Sequence, residues 1–139
     1  MTGKEYMNEI RKIRREIRLL YEQIIRDELL ASNVKAIRYD VDKVQTSPDG
    51  DRMAELISDI CKNESKMIVK VQELHKREES AMQVLLLLKE EHERILVLHY
   101  LEGKRWEDVA AALFYDETYI YKLRDRALDE LTEVLKTVK

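Results

Sequence analysis

Three glycines and one proline in 139 residues are too few turn formers for a sandwich or barrel of many short strands. That scarcity points to a few long helices and an all-α fold. A single cysteine, Cys61, leaves no internal disulfide, and no Cys/His cluster has the spacing of a zinc site. Neither an oxidising compartment nor a metal is required. Long apolar runs are missing too. A run such as Val84 to Leu88 falls far below the roughly 20 residues that a bilayer span needs, so no membrane association is expected. The opening Met-Thr-Gly-Lys-Glu-Tyr holds no apolar stretch of the signal-peptide kind, and a cytoplasmic protein is the expectation.

Basic charge is not in excess: 25 Lys and Arg face 28 Asp and Glu, a net charge of −3. Residues 1–50 sum to +1, residues 51–90 to −1 and residues 91–139 to −3. A chain without a basic domain that bound nucleic acid would have to use a local patch. Catalytic patterns are equally scarce. There is no glycine-rich phosphate loop, and His75, His92 and His99 form neither a His-Glu-x-x-His zinc helix nor a di-iron Glu-x-x-His repeat. Cys61 has no activating neighbour in the sequence and reads as a buried or half-buried thiol. No enzymatic role and no cofactor are expected.

What the chain does contain is 45% hydrophobic and 38% charged residues, a balance suited to soluble amphipathic helices. Tyr6, Ile10, Ile13, Ile17, Leu20 and Ile24 alternate steps of four and three, with Arg, Lys and Glu between them. This seam predicts a helix over about 4–31. Ser32, Asn33 and the β-branched or aromatic Val34, Ile37, Tyr39 and Val41 weaken the pattern, so a connector is expected over about 32–50. A second helix, about 51–88, is expected to start where Ser47 can cap, Pro48 suits the first position, and Asp49 and Asp51 complement the dipole.

Along this second helix Met53, Ile57, Ile60, Glu64, Met67, Val71, Leu74, Glu78, Ala81, Leu85 and Leu88 keep four-three spacing. Thirty-eight helical residues would extend about 57 Å, more than a small core can cover. The helix needs a partner, either the first helix in an antiparallel hairpin or another chain in a coiled coil. Glu64 and Glu78 are suited to fixing register against basic residues opposite. The basic run Arg11, Lys12, Arg14, Arg15 and Arg18 reads first as a solvated helical face and second as a phosphate-binding arm.

Residues 89–139 are organised differently from the arm of residues 1–88. Ile95, Leu96, Leu98, Tyr100 and Leu101 share one helix that ends at Glu102-Gly103-Lys104. Trp106 to Leu113 give about two helical turns, Phe114-Tyr115 break them, and Asp116 is placed to cap a last helix through Leu135. Trp106 and Tyr100 suit packing inside this three-helix unit. Helix-turn-helix pairs need a small residue at the crossing, an apolar end to the first helix, a tight turn and an apolar anchor in the second. Ala110, Leu113, Tyr115 and Ile120 fill those roles in order, and Leu123, Ala127, Leu128 and Leu131 continue the buried stripe.

Arg94 to Lys104, Trp106-Glu107-Asp108-Val109-Ala110 and Ala127-Leu128-Asp129-Glu130-Leu131 resemble region 4 of bacterial sigma factors. A helical arm, a connector such as Val44 to Asp51 and a sigma-like C-terminus are also similar in plan to phage and prophage late-gene regulators of Gram-positive bacteria, the ArpU and RinA types. The resemblance implies a transcriptional regulator that reads double-stranded DNA with the helix starting at Asp116. Its contact residues would come from Glu117, Thr118, Tyr119, Tyr121, Lys122, Arg124 and Arg126, with Arg124 and Arg126 near phosphates. The arm would join two copies, so that two units meet two half-sites. RNA polymerase, or another protein bound by the sigma-like unit, is the alternative partner.

Two positions depart from the family. Phe114 stands where many relatives carry Gly, and left-handed backbone there costs a side chain about 1–2 kcal/mol, so an irregular turn is expected. Asp116 stands where relatives often place Ser and, with Glu117, brings negative charge to the start of the last helix.

Overall fold

A computed structural model describes the backbone of residues 1–40 and 48–138, and the side chains of residues 1–33 and 50–138. Among the described residues the chain forms helices and turns only. The elements are α1 (Gly3–Asp40), α2 (Pro48–Leu85), α3 (Glu90–Leu96) running into a π-helical turn (Val97–Leu101), α4 (Trp106–Ala112) and α5 (Glu117–Thr137). The all-α expectation is met. No described helix is long and apolar enough to cross a membrane.

Two boundaries move. Helix α1 does not stop near residue 31 but continues to Asp40. No Gly or Pro lies between Leu30 and Asp40, and Ser, Asn and β-branched residues each cost a helix well under about 1 kcal/mol. Helix α2 starts with Pro48 as its first residue, the position where its fixed φ and missing N–H cost nothing. The capping role expected of Ser47 lies outside the described residues. At its far end α2 stops at Leu85 rather than residue 88, because Leu87 and Leu88 bond back to the carbonyls of Val84 and Leu85 at 3.0 Å each. This tightened turn exposes Leu86 and Leu87 and folds Leu88 into the core.

The chain forms two compact units, residues 15–72 and residues 1–14 with 73–139. The second does not begin at residue 89; it includes the first turns of α1 and the last turns of α2.

In the 15–72 unit, α1 and α2 run antiparallel, with Lys70 Nζ 2.7 Å from Glu16 Oε2. The partner that α2 needs is therefore α1 of the same chain. Ile24 and Leu56 are buried, and Asp27 is buried with them, accepting a 2.9 Å hydrogen bond from Gln23 Nε2. The seam of α2 is offset from the one read in the sequence. Met53, Ile60 and Met67 are half-buried as expected, but Ile57, Glu64 and Val71 are exposed, and Leu56, Asn63 and Lys70 face inward. Steps of three and of four from Ile60 both fit a heptad. Hydrophobicity selected one flank, whereas buried Leu56 and the Lys70–Glu16 pair occupy the other. Cys61 follows Ile60 off this stripe and is exposed, not buried.

In the other unit α1 and α2 are again antiparallel, with Arg77 Nη1 2.5 Å from Glu9 Oε2 and Arg14 Nη2 2.6 Å from Glu78 Oε1. Glu78 thus meets a basic residue opposite, as its place in the seam implied. The core gathers Met7 and Ile10 of α1, Ala81 and Leu85 of α2, Ile95, Leu96 and Tyr100, Val109 and Ala110 of α4, and Ile120, Leu123, Ala127 and Leu131 of α5. Each fully buried Leu or Ile side chain contributes about 1.5–3 kcal/mol.

Gly3 sets how closely α1 docks on α5. A Cβ there would lie 2.7 Å from the Leu128 carbonyl oxygen and 3.0 Å from Leu131 Cβ. The Gly3 N–H donates to Thr132 Oγ1 at 2.8 Å. The N-terminus of α3 is closed by Glu130 of α5, whose Oε1 accepts from the Lys89 N–H at 2.9 Å and lies 3.0 Å from His92 Nδ1. A carboxylate at a helix N-terminus also complements its dipole.

Candidate nucleic-acid interface

Helix α4 ends in a tight turn. The Tyr115 N–H bonds the Ala110 carbonyl at 2.8 Å and the Phe114 N–H bonds the Ala111 carbonyl at 3.4 Å, the paired pattern of a Schellman closure. Its left-handed position falls on Phe114, with φ 58°, and the ring is 95% exposed. The turn is therefore regular, contrary to the irregular one expected. A phenylalanine carries the backbone strain that glycine would avoid, with no packing to offset it. Asp116 occupies the N-cap position of α5, yet its side chain makes no capping hydrogen bond.

Val109 and Ala110 of α4 are buried, as are Ile120 and Leu123 of α5, so α5 turns its other faces outward. Glu117, Thr118, Lys122 and Arg126 are exposed. Among the described residues the side chains of Thr118, Lys122 and Arg126 have no hydrogen-bond or ion-pair partner.

The remaining residues of the expected contact set are tied locally. Tyr119 packs its ring edge-on against Tyr115, centroids 5.2 Å apart. Tyr121 Oη donates to Glu107 Oε1 at 3.0 Å. That bond holds the Tyr121 phenol above its ordinary pKa. Glu107 is lowered, first by its own backbone N–H and then by Tyr121. The Arg124 guanidinium lies 5.1 Å from the Tyr121 ring centroid and donates through Nε to Asp125 Oδ1 at 3.0 Å.

The basic run of α1 does not act as one patch. Arg14 Nη1 donates to the Tyr100 carbonyl at 2.8 Å, and its Nη2 donates to the Leu101 carbonyl and to Glu78. It closes the C-terminal end of the π-helical turn, where helical carbonyls lack partners. Arg18 lies 3.8 Å from Glu22. Lys12 and Arg15 are exposed.

Arg11 lies 3.3 Å from His99 Nε2 and 6.0 Å from the Tyr100 ring centroid. His99 Nδ1 is 2.7 Å from the Lys104 carbonyl. Nδ1 therefore donates, leaving Nε2 to accept from Arg11. Trp106 stacks on the His99 ring at 4.0 Å, which accounts for its expected packing role. Burial pushes the His99 pKa down, and the nearby charges of Arg11 and Arg124 push the same way against the bond to Lys104.

This grouping was not anticipated, although Lys4, Asn8 and Arg11 follow one another at helical spacing of four and three. In comparisons with known proteins the chain matches no family model, no curated protein and no solved structure.

Proposed function

We propose that the protein is a sequence-specific DNA-binding transcriptional regulator of the phage or prophage type, reading the major groove with α5. One observation carries this reading. After a tight turn from α4, the early turns of α5 present Thr118, Lys122 and Arg126 outward without partners among the described residues, while Ile120 and Leu123 anchor the helix in the core. Supported helices with free polar residues on one face are what groove reading requires. The exposed acids Glu117 and Asp125 confine attraction to a few cations, so the salt slope should be shallow, about one for each cation that meets a phosphate. Glu117 is suited to accept from a cytosine amino group.

Self-association through the arm belongs to the same proposal. Ile57, Ile68, Val69 and Val71 of the 15–72 unit are 47–61% exposed, and apolar residues gathered on one element mark interaction surfaces. A second copy there would give two α5 helices for two half-sites. Replacing Ile68 and Val71 by Asp should then return the protein to monomer mass in sedimentation.

The test of DNA reading is selection from a random duplex pool at two salt concentrations, with the wild type and with Lys122→Ala/Arg126→Ala. The expected result is a motif enriched by the wild type and lost by the variant. No enrichment at low salt refutes the reading.

Phe114 favours a second reading, in which the sigma-like unit binds RNA polymerase or another protein. A phenylalanine ring 95% exposed at the α4–α5 turn is an apolar contact of the kind protein interfaces use. Polymerase retained by the wild type and released by Phe114→Ala would support it.

A further inference from the structure

Beside α5 a cleft of about 300 Å³ opens between the first turns of α1, the π-helical turn, the start of α4 and the middle of α5. Lys4, Asn8, Arg11 and Arg124 line it together with His99 and Trp106. Three cations and an amide therefore converge on one space, against one lining carboxylate, Asp125, which Arg124 already holds at 3.0 Å. The arrangement is unusual for this chain. Arg77, Arg94 and Arg105 each lie within 3.5 Å of a carboxylate, and Arg14 is taken by Glu78 and two carbonyls. Among the described residues neither Lys4 nor Arg11 has an ion-pair partner. His99, hydrogen-bonded to Arg11, offers it a neutral ring nitrogen.

Three cations facing a single carboxylate remain in excess and repel one another, and an anion with several acceptor oxygens relieves that repulsion. We propose that this cleft is a phosphate-binding site, taking one phosphate group between Lys4, Arg11 and Arg124 with the Asn8 amide as a further donor. The shared chemistry is a tetrahedral oxyanion, supplied either by a DNA backbone phosphodiester or by a small free phosphate. Its phosphodiester form rests on the DNA reading above, because Arg124 lies on the helix proposed to enter the groove. Arg11 then adds a phosphate contact from a helix outside the α4–α5 pair.

Trp106, the single tryptophan, stacks on His99 in the lining and reports occupancy by its fluorescence. The experiment titrates the full chain with inorganic phosphate, with pyrophosphate and with a short random-sequence duplex, using chloride at matched ionic strength as control. The variants are Arg11→Gln, Lys4→Gln and, away from the cleft, Arg15→Gln, with helix content checked by circular dichroism. Lys4→Gln keeps the test valid if loss of the Arg11–His99 contact disturbs folding.

A saturable Trp106 response to pyrophosphate, weakened at least roughly tenfold in the cleft variants and unchanged in Arg15→Gln, supports the site. If the duplex competes with pyrophosphate, and Arg11→Gln lowers the salt slope of duplex binding by about one, the occupant is a backbone phosphate. If pyrophosphate binds and the duplex does not, the site stands as one for a free phosphate and its phosphodiester form falls. Duplex binding that ignores Arg11 and Lys4, or no response to any phosphate, overturns the proposal.

Discussion

Replacing Arg14 tests whether the basic run of α1 is solvated or structural. Its guanidinium bonds the Tyr100 and Leu101 carbonyls and the Glu78 carboxylate at once. A hydrogen bond to a charged group is worth about 1.5–3 kcal/mol when well buried. The Arg14 side chain is 30% exposed, so the two carbonyl bonds together are discounted to about 2 kcal/mol, and the pair with Glu78 adds at most about 1 kcal/mol. Arg14→Ala should therefore cost about 3 kcal/mol. Arg15→Ala, exposed one residue along, should stay within about 0.5 kcal/mol of wild type. Arg14→Lys should fall between the two, because one ammonium cannot span three acceptors as a planar fork does. Urea unfolding followed by Trp106 fluorescence measures the unit to which Arg14 belongs, and an unchanged slope confirms that stability alone moved. Equal stabilities for Arg14→Ala and Arg15→Ala would refute the capping role.

His99 predicts a pH dependence. Burial holds its folded pKa below the ordinary 6.5, so the unfolded chain binds the proton more readily; stability is fully present above 6.5 and declines as pH falls through it. Unfolding free energies between about pH 8 and pH 5 should show that decline and a flatter profile for His99→Gln, whereas identical profiles would rule His99 out. Gly3→Ala should push α1 away from the Leu128 carbonyl and cost about 1–3 kcal/mol, read as faster amide exchange in the first turn of α1; unchanged exchange would show that the approach is not tight. Phe114→Gly should raise stability by up to about 1 kcal/mol, since relief of about 1–2 kcal/mol is partly offset by the freedom glycine gains when unfolded. A loss instead would mean that the exposed ring is not idle.

Periodicity made the helices legible, because Tyr6, Ile10, Ile13 and Ile24 recur at a spacing that only a helix brings to one face. It could not choose between Leu56 and Ile57, as steps of three and four from one anchor are equally apolar and only the partner's position decides. The π-helical turn was invisible for a related reason. Val97 to Leu101 reads as ordinary helix, although the Glu102 N–H bonds the Val97 carbonyl at 3.0 Å, and the donor to its Tyr100 and Leu101 carbonyls, Arg14, lies 86 and 87 residues away in the sequence. In the candidate site, exposure of Thr118, Lys122 and Arg126 followed from helical spacing alone. The restraint of Tyr121 by Glu107 did not, since that contact exists only once α4 has turned back on α5. The place of the α4–α5 turn was readable from Phe114-Tyr115, but its left-handed backbone was not, because Tyr115 and Ala110 must close the turn before the strain is tolerated.

The same contacts explain why net charge is a weak guide to what this chain binds. A cation answers an external phosphate only if it is not already answering a carboxylate or a carbonyl. Arg14, Lys70 and Arg77 all serve the pairing of α1 with α2, and removing them should change stability before it changes affinity. Lys4, Arg11, Lys122 and Arg126 have no carboxylate partner among the described residues, and their removal should change affinity before it changes stability. Arg124 belongs to both groups, since Asp125 must release it before it can bind phosphate fully. Two arginines three residues apart on α1, Arg11 and Arg14, therefore fall on opposite sides of this division. The average charge of their helix could not have revealed that.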